Sequence, residues 1–360
     1  MTGDVSRPPG ADPESDVEWC HGAVRDVSRT FALTIDSLNE PMSTRICLGY
    51  LLCRIPDTIE DAGHVPPEAG ADLLSSYARA IDPDDERGIG TFRTEVEPWL
   101  PPAADRSDDW DVVAAAPRVY AAFGTLPADV RKAITPPVIE MVEGMAMFVD
   151  DHAESDGLRI DTRAELEEYC HYAAGTVGTL VTNLLTRGEI DDDRRRTLYG
   201  TAESFGLLLQ LVNIAKDVYD DYTEEDNVYL PASWLEEGGI PQEAILEEEH
   251  RSSAAAVVAR TVAHARTFLD EAERYLYAMP LEQGNTLAAW GVPFLLAVGT
   301  LRELDDSPAD ALTEGGPKVS RQEVYAVVDA MADADRADLS EFRSIIAREP
   351  FHTASRPETV

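Results

Sequence analysis

The chain has 360 residues, of which 44% are hydrophobic, enough to bury a sizeable core as one large domain or two ordinary ones. Acidic residues outnumber basic ones 68 to 30, a formal charge of −38, which excludes nucleic acid as a natural partner because phosphate backbones are bound by basic surfaces. So acidic a surface repels itself in dilute buffer, and it fits a cytosol of very high salt, where ions screen the charge.

Residues 1–15 are polar, carry Pro and Gly, and read as a disordered segment with no apolar signal core. A helical pattern runs from Asp16 to about Ile35, and the turn Asn39-Glu-Pro-Met-Ser43 leads to a helix bearing Tyr50, Arg54 and Asp57. Pro56 removes a backbone donor from that helix and predicts a kink or a restart there. Acidic loops are expected at Asp82–Gly90 and Pro98–Asp109, with helices at about 110–123, 127–153 and 163–187. A long helix follows at about 192–222, then a polar acidic insertion at Thr223–Asn227, then helices at about 252–278, 283–304 and 320–347. No alternating strand pattern and no long linker interrupts this run, so the expectation is all-α: one helical domain over 16–348 and a tail at 349–360.

Cys20, Cys47, Cys53 and Cys170 show no CxxC or Cys/His metal spacing and read as reduced, mostly buried thiols of a cytoplasmic protein. The apolar stretch Leu287–Leu301, broken by Gly291, Pro293 and Gly299, is too short for a membrane span.

Two stretches point to chemistry. Asp217, Asp220 and Asp221 recur at i, i+3 and i+4 after the apolar run Phe205–Asn213, which places them on one face of a buried helix. The same pattern, Asp57-Thr-Ile-Glu-Asp61, follows the apolar run Ile46–Cys53. Buried carboxylates repel one another and lose hydration, so they call for a cation. An all-oxygen set suits magnesium, which also takes substrate phosphates. One such cluster alone in an Asp-rich chain reads as a solvated helix face; two, each after an apolar run, read as a facing pair of metal-binding helices.

Basic residues accompany the clusters: Arg29 in Ser28-Arg-Thr-Phe31, Arg54 three residues before Asp57, and Lys216 beside Asp217. They suit a diphosphate, and they also suit ordinary salt bridges. Tyr169 and Tyr172 precede Gly175 and Gly178; the tyrosines read as core residues or as site residues, and the glycines as close packing or ligand space. A magnesium–diphosphate site beside an apolar interior implies an isoprenoid substrate, whose ionised carbocation must be kept from water.

At these residues the sequence resembles the squalene/phytoene synthase family. The matching stretches are SRTFAL (Ser28–Leu33), YLLCRIPDTIEDA (Tyr50–Ala62), EYCHYAAGTVG (Glu168–Gly178), GLLLQLVNIAKDVYDD (Gly206–Asp221) and VYLP (Val228–Pro231). Within the family, the YCHY run and AAWGVPFLLAVGTL (Ala288–Leu301) are more similar to squalene synthases. The resemblance implies an isoprenoid-synthase-type bundle with a central cavity. It implies head-to-head condensation of two farnesyl diphosphates through presqualene diphosphate, then reduction by NADPH to squalene. Asp57, Glu60, Asp61, Asn213, Asp217 and Asp221 would hold Mg2+. Ser28, Arg29, Tyr50, Arg54 and Lys216 would contact diphosphate with Gln210 at the cavity wall; Tyr169, Tyr50 and Arg54 would serve catalysis. Arg29, Arg54, Lys318 and Arg321 would meet NADPH.

The chain departs from the family pattern at Lys216, where Arg is usual, and at Ala289-Trp290, where an aromatic stands one place later. It departs again at Lys318-Val-Ser-Arg321, one residue wider than the usual basic pair. The C-terminal anchor of the eukaryotic enzymes is not found, so the expectation is a soluble protein or one only peripherally attached to a membrane for product release; a monomer is expected as well. The alternatives are a phytoene or dehydrosqualene synthase without the reductive step, and a non-catalytic family member.

Overall fold

A computed structural model describes residues 13–155, 157–280 and 285–354. Among them there is no strand, only an isolated parallel bridge between Arg159 and Val228, so the all-α expectation holds. The chain gathers into two compact units: one takes residues up to Gly157 and adds Thr176–Glu189, the other takes Leu158–Gly175 and Ile190 onward.

The first unit opens with α1 (Pro13–Val27), α2 (Arg29–Asp36), α3 (Met42–Glu60) and α4 (Pro67–Ile81). It continues with α5 (Ile89–Val96), α6 (Asp108–Ala114), α7 (Ala116–Gly124) and α8 (Ala128–Asp151). The chain then runs through α9 (Arg163–Cys170) and a π-helical turn (His171–Gly175), both of the second unit, into α10 (Thr176–Leu185) of the first. The remaining helices belong to the second unit: α11 (Asp192–Lys216), α12 (Val218–Glu224), α13 (Ala232–Glu237) and α14 (Arg251–Arg266). They are followed by α15 (Leu269–Ala278), α16 (Thr286–Asp306), α17 (Arg321–Ala332) and α18 (Arg336–Ile346).

Several expected helices are divided. The pattern over Asp16–Ile35 breaks at Ser28, whose extended backbone (φ −152°) lets its hydroxyl accept from the Phe31 N–H at 3.2 Å. That bond caps α2, and α1 begins at Pro13, three residues before the expected start. The long helix expected over 192–222 divides at Asp217, which stands between α11 and α12 with φ −100° and ψ 13°. Here the loop before α17 presses in: a Cβ on Gly316 would lie 2.6 Å from the Lys216 carbonyl oxygen.

Pro56 does not break α3. Its missing N–H leaves the Leu52 carbonyl without its helical donor, and the buried Tyr77 hydroxyl from α4 donates to that carbonyl at 2.9 Å. The same repair occurs in α8, where Pro137 frees the Ala133 carbonyl and Asn183 Nδ2 from α10 donates to it at 3.0 Å.

In the second unit α11 packs against α14, α15, α16 and the π-helical turn. Its approach to the turn is backbone on backbone: a Cβ on Gly206 would lie 2.4 Å from the Ala174 carbonyl oxygen. α16 has the length and hydropathy of a membrane span, but 83% of its apolar window is buried inside the protein, as in a core helix. Arg302 of α16 makes a bidentate pair with Glu323 of α17 at 2.9 Å for both contacts, and Glu323 also accepts from the Phe351 N–H at 2.9 Å. Phe351, assigned by sequence to the tail, is thereby packed at 1% exposure. All four cysteines are buried thiols, as expected.

Candidate active site

In the first unit the SRTF stretch and α3 meet through side chains. Phe31 stacks on Tyr50 with ring centroids 4.1 Å apart and planes 21° from parallel. Burial pushes the Tyr50 phenol up to about 12, although Arg54 and a hydrogen bond from Ser28 work against the shift. Ser28 therefore caps α2 and touches Tyr50 at once, while Arg29, one residue on, is exposed and makes no ion pair among the described residues.

Arg54 lies between two carboxylates. It donates from Nε to Asp109 at 2.7 Å and pairs with Asp57 one turn along α3. Burial alone would lower the Arg54 guanidinium; Asp57 and Asp109 more than offset this and raise it. Burial pushes the Asp57 carboxyl up, and Arg54 pulls against that shift. Glu60 and Asp61 lie half-buried on the same turn. Asp109 was not singled out from sequence: it is 55 residues from Arg54, and its only local signal is the acidic first turn of α6.

In the second unit, Asp217 and Asp221 remain one helical turn apart, with the Asp221 N–H donating to the Asp217 carbonyl at 2.8 Å. Lys216 pairs with Asp217. Burial, then the neighbouring Glu225 and Asp217, push the Asp221 carboxyl up to about 9, with Lys216 opposing. Asn213 is exposed and Gln210 half-buried on α11. Asp221 lines a small pocket with Ile214, Val218, Tyr222, Tyr229 and Ile245. Lys318 and Arg321 are exposed and have no ion-pair partner among the described residues, at the end of the loop whose Gly316 meets the Lys216 carbonyl.

Tyr169 is buried at 4% exposure and donates its hydroxyl to that of Tyr229 at 3.2 Å, the rings lying 4.8 Å apart at 32°. Tyr229 also accepts from Asn227 Nδ2 at 3.1 Å. His171 faces Glu203 of α11 at 3.0 Å. Gly175, the first glycine after the YCHY run, serves close packing: a Cβ there would lie 3.2 Å from the His171 ring. Trp290 is buried within α16.

Metal ligation is a matter of donor chemistry here. Among the described residues, three potential ligand atoms converge within 4.8 Å only at Glu247, Glu249 and His250, a surface group outside both acidic clusters. In the clusters, Asp57 and Asp217 are each engaged by the cation beside them. The clusters still fit a hard divalent ion. Their donors are all oxygen, and the raised Asp221 carboxyl marks a place where negative charge lacks compensation that such an ion would give.

The sequence is 26% identical over 293 residues to squalene synthase 1 of Arabidopsis thaliana, covering 80% of this chain and 65% of that protein. It is 24% identical to squalene synthase of Schizosaccharomyces pombe, covering 81% of this chain and 60% of that one. The chain thus spans a little under two thirds of these relatives. Among solved structures, a TcSQS complex with a ligand superposes with a TM-score of 0.77 at 23% identity, covering 94% of each chain. A dehydrosqualene synthase complex superposes with a TM-score of 0.63 at 20% identity, covering 92% of this chain and 100% of the other. The squalene/phytoene synthase family matches residues 24–350, and the chain belongs to that family.

Proposed function

We propose that this protein joins two farnesyl diphosphates head to head through presqualene diphosphate and reduces the product to squalene with NADPH. The observation that carries this reading is the adjacency, in the second unit, of an acidic cluster and a buried tyrosine pair. Asn227 is hydrogen-bonded to both, taking the Asp221 carbonyl through its N–H at 2.9 Å and the Tyr229 hydroxyl through Nδ2.

Asp57, Glu60, Asp61, Asn213, Asp217 and Asp221 would hold magnesium, which when bound neutralises the charge of a departing diphosphate. Arg29, Arg54 and Lys216 add cationic charge for diphosphate, with Ser28 and Tyr50 offering hydroxyls and Gln210 a half-buried amide. Lys216 acts as a point charge, without the bidentate grip of Arg. The Tyr169 hydroxyl, donating to Tyr229, keeps an electron-rich oxygen and ring that stabilise a carbocation. Lys318 and Arg321, both exposed, suit the phosphates of NADPH, to which Arg29 and Arg54 also belong in this reading.

The family's rival chemistry is the same condensation without hydride, giving dehydrosqualene or phytoene; the wider spacing of Lys318 and Arg321 favours it. A non-catalytic role is disfavoured by the completeness of both acidic clusters. The reading places a monomer in the cytoplasm, with peripheral membrane contact to release a hydrocarbon.

Purified protein incubated with farnesyl diphosphate and magnesium in molar KCl, with and without NADPH, tests this by product analysis. Squalene only in the presence of NADPH is expected. Dehydrosqualene in both arms removes the reductive step, and unconsumed farnesyl diphosphate refutes the condensation.

A further inference from the structure

Asn227 lies in a loop that reads from sequence as a polar insertion, yet it is 4% exposed. The residue before it, Asp226, turns the chain inward with φ +58°, the one non-glycine residue in the left-handed region among those described. Arg159 secures that turn, donating to the Asp226 carboxylate at 2.7 Å. Every polar group of Asn227 but its carbonyl is then used inside the second unit. Its N–H takes the Asp221 carbonyl at 2.9 Å, Oδ1 accepts from the Leu158 N–H at 2.8 Å, and Nδ2 donates to Glu225 at 3.3 Å and to Tyr229 at 3.1 Å.

These partners settle which way the amide points. A backbone N–H only donates, so the atom facing Leu158 must be the oxygen. A carboxylate only accepts, so the atom facing Glu225 must be the nitrogen. The nitrogen therefore faces Tyr229 as well, and Tyr229 must accept from it. The Tyr229 oxygen receives a second donor, the Tyr169 hydroxyl, at 3.2 Å.

We propose that Asn227 is a positioning residue that holds the Tyr229 hydroxyl in place and, through the Tyr169 hydroxyl that donates to it, orients Tyr169. Its functional half rests on the condensation proposed above. Asn227 also fastens the Tyr169 pair to the second acidic cluster, since one residue holds the Asp221 carbonyl and the Tyr229 hydroxyl. A shift of the cluster is thereby transmitted to the tyrosine hydroxyls through one residue, from its backbone N–H to its side-chain amide.

The test is Asn227→Asp, which keeps an acceptor for the Leu158 N–H and removes the donor to Tyr229. Tyr229→Phe accompanies it, removing only the hydroxyl and leaving the ring to pack, so that a folding defect in the first variant leaves the question decidable. Tyrosines labelled at Cζ with carbon-13 give resonances sensitive to hydroxyl hydrogen bonding, and Tyr169→Phe assigns the one that matters. Both variants should shift the Tyr169 resonance. Both should lower kcat on farnesyl diphosphate by about threefold to tenfold, the value of one neutral hydrogen bond, with KM unchanged. An unmoved Tyr169 resonance in either folded variant overturns the proposal, as does a raised KM at unchanged kcat. Wild-type protein that leaves farnesyl diphosphate untouched refutes the condensation and the catalytic half of this proposal together, and the resonances then decide the positioning half alone.

Discussion

Replacing Gly206 with Ala probes a backbone-on-backbone approach in the second unit. The added Cβ would lie 2.4 Å from the Ala174 carbonyl oxygen, 2.7 Å from the Ala174 carbonyl carbon and 2.9 Å from the Gly175 nitrogen. All three atoms are backbone, so no side chain can rotate away. Relief requires α11 and the π-helical turn to separate by about 1 Å, an overpacking that costs about 1–3 kcal/mol, or more where the backbone is held on both sides. Against this stands the gain of about 1 kcal/mol for replacing a helical glycine with alanine. Gly200 on the same helix isolates that gain, since a Cβ there meets nothing within 4 Å. The difference between the two variants is then the clash alone. Gly200→Ala should raise the urea midpoint in molar KCl and Gly206→Ala should lower it, with hydrogen exchange quickening at His171–Gly175 in the second only. A Gly206→Ala midpoint equal to or above that of Gly200→Ala would refute the close-packing account.

Neutralising one ligand in either cluster, Asp57→Asn or Asp217→Asn, should lower turnover of farnesyl diphosphate by about tenfold to hundredfold or more while circular dichroism is unchanged, and near-wild-type rates at saturating magnesium would remove the two-cluster site. Tyr169→Phe deletes one buried hydroxyl and leaves the packing ring; it should fold normally and lose most activity, and retained activity would make Tyr169 a core residue only. With a formal charge of −38, melting temperature should rise steeply from 0.1 M to molar KCl as the screening length shrinks from about 10 Å to about 3 Å, and a flat series would refute the high-salt account of the acidic surface. Asp221 carries a pH signature: its carboxyl sits at about 9 when folded, against an ordinary value of 3.8 when unfolded. The folded protein therefore holds a proton that the unfolded chain releases. This contribution to stability is complete below the unfolded value and is lost as pH rises towards the folded one. In chelator, Asp221→Asn should therefore flatten the fall in melting temperature between pH 5 and 9, and an unchanged slope would remove Asp221 as its source.

What could be read from sequence was what local spacing encodes. The acidic clusters, the SRTF start and the glycines at 175 and 178 are short patterns with direct physical meaning, and Gly175 does sit at a close approach. The helix divisions at Ser28 and Asp217 were missed for different reasons. A serine can cap or sit inside a helix with equal plausibility, whereas the break at Asp217 accompanies a glycine a hundred residues later pressing on the Lys216 carbonyl. Asp109 was invisible because its partner Arg54 is remote in sequence and acidic first turns are common. Asn227 was hidden by its company: Thr223 to Asp226 are polar, and nothing local distinguishes the one residue that turns inward. Phe351 fell outside the expected domain because a single aromatic after the last helix carries no periodicity.

The prolines inside α3 and α8 have a consequence for alignment. Apolar helix faces slide past one another with little change in contact, because methyl groups have no preferred partner. A carbonyl released by proline is different: it is a fixed address in the interior that one hydroxyl or amide can reach. Tyr77 marks such an address at Leu52, and Asn183 marks another at Ala133. Slipping α4 along α3 by one turn, about 5.4 Å, would strand both a phenol and a carbonyl, at about 1–3 kcal/mol for each unsatisfied group. Pro56 and Pro137 thus act as notches, allowing each neighbouring helix one longitudinal setting where hydrocarbon alone would allow several.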